Sequence, residues 1–203
     1  RIINQMKIRN LFIVSILALF FNNSYAQETI LVKANSWYMP DYVKAQFAGN
    51  IGLVSLGVGY QLFNEALYSE LLYGFVPEWA SKADNIHLIT IKNTFPIFRK
   101  KIGKNLTIAP IAGFTTTLDI GINSFTTLPS IYPQGYYVPT AVHFTLFGGA
   151  LIHKDFKQPK TFKGVDFYLE FGTVETYLWY ALATKEVDLI DVFSADIGVN
   201  FYF

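Results

Sequence analysis

The chain has no cysteine in 203 residues. This excludes a disulfide framework, thiolate metal sites and a lipid-modified cysteine behind an export signal. An excess of charge of either sign is also missing, with 16 Lys and Arg against 15 Asp and Glu, so nucleic acid is not an expected partner. Beyond residue 26 no apolar run approaches the roughly 20 residues that a membrane-spanning helix needs. HExxH, GxSxG, P-loop and Gly-rich dinucleotide motifs are absent, and the three histidines are scattered. Neither metal nor nucleotide chemistry is therefore expected, and no cofactor.

What is present begins at the N-terminus. Met6-Lys7-Ile8-Arg9 is a short cationic start, Leu11 to Phe21 is apolar, and Asn22 to Ala26 is a polar exit with small residues at Ser24 and Ala26. That order is the n-region, h-region and cleavage site of a secretory signal peptide. The apolar run is too short to cross about 30 Å of hydrocarbon at 1.5 Å per residue. Residues 1–26 are read as the signal, with 1–5 as an upstream extension, and residues 27–203 as one exported domain. Removing Arg1, Lys7 and Arg9 takes the formal charge from +1 to −2.

The rest is rich in aromatics, with 13 Tyr and 19 Phe in the chain, and is punctuated by Gly. Period-two alternation predicts eight strands: Glu28–Trp37, Gly49–Leu62, Leu67–Val76, Ile86–Phe95, Leu106–Leu118, Thr140–Ile152, Val165–Phe171 and Phe193–Phe203. The last sets Phe193, Ala195, Ile197, Val199, Phe201 and Phe203 against Ser194, Asp196, Gly198, Asn200 and Tyr202, an apolar wall backed by a polar one. Eight such strands predict an all-β, antiparallel, up-and-down transmembrane barrel. Trp37–Lys44, Pro77–Asn85, Asp119–Val138 and Ala181–Asp188 become external loops. Phe95–Leu106 and His153–Gly164 become long periplasmic turns rich in Lys and Arg, suited to anionic headgroups.

Alternation leaves open which face is inside, because a soluble ligand-binding barrel turns its apolar face inward. Composition decides for the opposite polarity. Small and polar residues such as Ser55, Gly57, Gly59, Thr145, Gly149 and Gly198 suit a narrow interior, which rows of Leu, Phe and Tyr would overfill. With the terminal Ile-Gly-Val-Asn-Phe-Tyr-Phe, the chain resembles the small outer-membrane β-barrel families of Gram-negative bacteria. The resemblance implies outer-membrane lipid and lipopolysaccharide as surroundings. It also implies recognition of the strand ending at Phe203 by the barrel-assembly machinery. Such families include adhesins, structural proteins, channels and lipid-modifying enzymes, so membership sets no single activity.

Three features are candidates for function. The polar face places Lys33, Asn35, Glu70, Lys92, His143, Asp166, Glu170, Asp196 and Asn200 in the interior, where paired charges would occlude the lumen. His143-Phe144-Thr145 is similar to the His-x-Ser pair of outer-membrane lipid A deacylases, which implies His143 as base, Thr145 as nucleophile and Glu170 or Glu175 as orienting acid. The segment Asn123–Pro139 carries Phe125, Tyr132, Tyr136 and Tyr137, enough aromatic surface to bind a ligand or to pack as a lid. A structural or surface-binding barrel is the leading expectation. An acyl-chain-modifying enzyme and a narrow channel are its alternatives.

Overall fold

The computed structural model describes residues 38–82, 84–121, 124, 141–157, 161–183 and 188–203. Among them the strands are β1 (Tyr42–Ala48), β2 (Val54–Leu62), β3 (Leu67–Val76), β4 (Ile86–Pro96), β5 (Lys100–Gly103), β6 (Leu106–Asp119), β7 (Val142–Asp155), β8 (Gly164–Val174) and β9 (Ser194–Tyr202). Helices α1 (Glu78–Ser81) and α2 (Glu175–Ala183) and a 3-10 turn at Leu189–Val192 stand in the connections. The strands are ordered β4-β3-β2-β1-β9-β8-β7-β6, and β6 pairs back onto β4. Eight antiparallel strands thus close into a barrel, which leaves no free sheet edge around it.

The count of eight matches the sequence expectation, but the first strand does not. Glu28–Trp37 lies outside the described residues. Tyr42–Ala48, partly assigned to an external loop, forms the strand that closes the barrel between β2 and β9. Its own alternation explains this. Tyr42, Lys44 and Gln46 are buried while Phe47 is exposed, so the segment has one inward and one outward face.

The predicted dozen-residue turn at Phe95–Leu106 is a hairpin instead. β5 folds against β6, with Lys100 opposite Ile108, and prolongs the barrel wall past the end of β4. Pro110 sits opposite the break between β4 and β5, where Ile97 N–H donates to its carbonyl at 2.9 Å. A proline cannot return the second bond of such a pair, which suits the point where β4 stops. The C-terminal ends of β1, β3, β6 and β8 share one end of the barrel with the N-terminal ends of β2, β4, β7 and β9. Asp41 and Phe203 lie at the other, tied by a 3.0 Å bond from Phe203 N–H to Asp41 O.

The polarity of the barrel is inverted relative to a water-soluble domain. Lys44, Glu70, Thr90, Lys92, Asp166 and Glu170 are buried, whereas Leu56, Leu71, Phe167 and Ile197 are more than half exposed. Two glycines make room for the interior rings. The Tyr42 ring occupies the space a Cβ on Gly59 would need, and the Tyr168 phenol does the same at Gly198. Gly198→Val should therefore push Tyr168 off its partner and cost about 1–3 kcal/mol, read as a lower urea midpoint. An unchanged midpoint would show that the interior can repack around the added side chain.

Candidate functional site: the charged interior

Alternate residues of each strand project into the lumen, so the site is assembled two residues at a time from the walls. β1 contributes Tyr42, Lys44 and Gln46; β3 contributes Tyr68 and Glu70; β4 contributes Lys92. β8 contributes Asp166, Tyr168 and Glu170, and β9, paired to β1, contributes Asp196, Asn200 and Tyr202. Lys44 Nζ lies 2.8 and 2.9 Å from the two carboxylate oxygens of Glu70, and Tyr42 O–H donates to the same carboxylate at 2.6 Å. Lys92 Nζ bonds the Glu170 carboxylate and donates to Gln46 Oε1 at 3.1 Å, and Tyr168 O–H also donates to that oxygen at 3.1 Å.

These pairs are not simply strand neighbours. Glu70 faces Lys92 across the β3–β4 ladder, yet its carboxylate is held by Lys44. Lys92 reaches Glu170 on the opposite wall. The ammonium groups also stand over rings: Lys44 Nζ is 4.1 Å from the Tyr168 centroid, and Lys92 Nζ is 4.5 Å from that of Phe147. Such cation–π contacts gain strength when desolvated. Each ammonium is therefore held by a carboxylate and a ring, the condition under which a buried charge is tolerated.

Glu170 and Asp196 stand directly opposite each other in the β8–β9 register. Asp196 Oδ1 and Thr115 Oγ1 have no hydrogen-bond partner among the described residues. A cavity of about 10 Å³, lined among others by Lys92, Thr115, Thr145, Glu170 and Asp196, is at the limit of room for one water.

A second cluster closes the end that carries Phe203. Asp166 accepts from Asn200 Nδ2 at 3.1 Å and from Tyr202 O–H, and lies 2.6 Å from His153 Nδ1. The other ring nitrogen of His153 is 3.2 Å from Asp155 Oδ1. Arg99, between β4 and β5, reaches in to bond the Tyr68 hydroxyl while pairing with the Glu65 carboxylate. What this arrangement does chemically is hold charge in place. Among the described residues no group of three His, Asp or Glu is placed to hold a metal ion.

The sequence-predicted residues divide between places. Glu70, Lys92, Asp166, Glu170, Asp196 and Asn200 all lie in the interior. Thr145 is buried and lines the cavity. His143 instead stands at the rim, with Nδ1 4.0 Å from Glu175 Oε1, and the Glu170 carboxylate is engaged by Lys92. The structure therefore brings His143 to Glu175 and not to Glu170. Lys33, Asn35, Phe125, Tyr132, Tyr136 and Tyr137 lie outside the described residues. Sequence reasoning missed Tyr42, Lys44, Gln46, Arg99 and His153, all but Gln46 in stretches read as connections. For the first three, the alternation with Val43, Ala45 and Phe47 was the available signal.

Comparison with family models, with curated proteins and with solved structures found no match to this chain. The functional argument therefore rests on the geometry.

Proposed function

We propose that this protein is an outer-membrane β-barrel that acts as a non-enzymatic structural or surface-binding protein, with an occluded polar interior. The observation that carries the proposal is the inverted polarity of a closed sheet. A belt of exposed Leu, Ile, Val and Phe surrounds the wall, with Leu56 at 59 %, Phe167 at 57 % and Ile197 at 54 %. Monomers in water rarely leave contiguous apolar surface beyond a few hundred Å². In lipid the same belt is satisfied, and a closed barrel pairs its backbone groups internally.

Charge asymmetry supports an orientation. The end holding Phe203 carries exposed Lys100, Lys101, Lys104, Lys154, Lys157 and Lys163, while the opposite end carries Glu78, Asp84, Glu175, Asp188 and Asp191. The basic end suits anionic phospholipid headgroups of the inner leaflet, which directs the longer connections outward, toward lipopolysaccharide. The interior ion pairs serve as a plug in this reading. β9, ending beside Phe203, is the strand offered to the assembly machinery, after export by residues 1–26.

Gel mobility of the membrane-extracted protein tests the proposal. Unboiled protein should run apart from boiled protein, because a barrel in a bilayer resists detergent until heated. No shift, together with recovery in the soluble periplasmic fraction, would overturn it.

A further inference from the structure

α2 differs in character from the rest of the loop end. None of its residues is buried, and beyond Glu175 and Thr176 the run Tyr177–Ala183 contains no charge. Tyr177 is 59 % exposed, Trp179 70 % and Leu182 68 %. A helix that is apolar all round belongs in a protein core or in lipid, and this one packs beside β7, β8 and the turn Leu189–Val192 with its apolar side chains still uncovered.

Its start is held firmly. β8 runs into it without a loop, Val174 being the last β8 residue paired to β7. Phe144 N–H then donates to Glu175 Oε2 at 2.8 Å, replacing the ladder bond that β8 no longer offers. The strands it rises from present Phe144, Leu146 and Phe171 outward, each at least half exposed. Helix and wall thus supply adjoining apolar surface.

We propose that α2 is a lipid anchor lying in the plane of the leaflet at the loop end of the barrel. Trp179 and Leu182 lie among the upper acyl carbons, and the helix marks where the membrane surface meets β7 and β8. This rests on the membrane reading above. Three observations select lipid as the occupant. The apolar surface adjoins the exposed belt of the barrel. The mixture of Tyr, Trp and Leu is that of a membrane–water interface. The uncharged run offers nothing complementary to a charged protein partner. Lacking a polar face, the helix sits sunk beneath the headgroups, and at nine residues it is far too short to cross.

The chain has three Trp, so Trp37→Phe with Trp79→Phe leaves Trp179 as the only indole. The full protein, extracted from membranes and reconstituted into phosphatidylcholine vesicles, is probed with bromine placed high or low on the acyl chains. Trp179 emission should be blue-shifted, lose most of its intensity to the shallow bromines and resist aqueous iodide. Strong iodide quenching with no bromine effect would overturn the proposal. So would protection from both quenchers with a dimer in detergent, which would place a second copy on the helix. A companion protein lacking all three indoles and carrying Leu169→Trp separates the two levels of failure. Quenching of that indole by deep bromines supports the wall in lipid whatever α2 does. Its absence would overturn the membrane reading and the anchor together.

Discussion

Lys92→Met should destabilise the barrel by about 3–5 kcal/mol, the range for breaking a buried ion pair from one side. Lys92 is 1 % exposed; its ammonium bonds Glu170 and Gln46 and stands over Phe147. Methionine keeps the length and the ring contact but removes the charge. Glu170, 1 % exposed, and Asp196, 7 % exposed, would then face each other in register with no cation between them. Urea titration in detergent micelles, followed by gel mobility, checks the effect. Adding Glu170→Leu should recover most of the loss, because a well-packed apolar pair often replaces a buried ion pair at little cost. Lys92→Met unfolding at the wild-type midpoint would show that the plug contributes nothing to stability.

Leu169→Arg should cost about 2–4 kcal/mol in a bilayer, the value for a cation on the lipid face of a barrel at mid-depth. Leu169 lies mid-way along β8, opposite Ala150 and Ile197, and is 44 % exposed on the outer face. An exposed substitution in water typically changes stability by no more than about 0.5 kcal/mol. The two environments therefore predict clearly different results from one variant. Urea titration in lipid vesicles reads the difference, and an unchanged midpoint would reject lipid as the solvent of the outer wall. Together the two variants probe opposite faces of β8, since Glu170 is the next residue.

Much of this architecture was legible where alternation was clean. β3, β7, β8 and β9 lie within three residues of their predicted places, and the polar face of β3, β8 and β9 identified Glu70, Glu170 and Asp196 as interior residues; β2 starts at Val54 rather than Gly49, because 49–53 turns between β1 and β2. β1 was obscured because Pro40 and Asp41 precede it and its inward face carries Lys44, which local reading places in water. α2 was hidden because Glu175–Ala183 alternates too poorly for a strand and is too short to announce a helix. His143 shares the phase of Thr145, and the sequence could not show that β7 outruns β8 at that point. That overhang leaves His143 at the rim beside Glu175.

The sequence by itself determined which side chains share a face, because a strand repeats every two residues and that pattern needs no partner. It also limited the stability sources to those available without cysteine. Only the tertiary structure decided which charges meet. Lys92 and Glu170 are 78 residues apart, and Lys44 becomes Glu70's partner only once β1 is locked between β2 and β9. Alternation is a property of each strand alone. The ion pairs belong to the closed cylinder, because closure sets which walls face each other across the lumen.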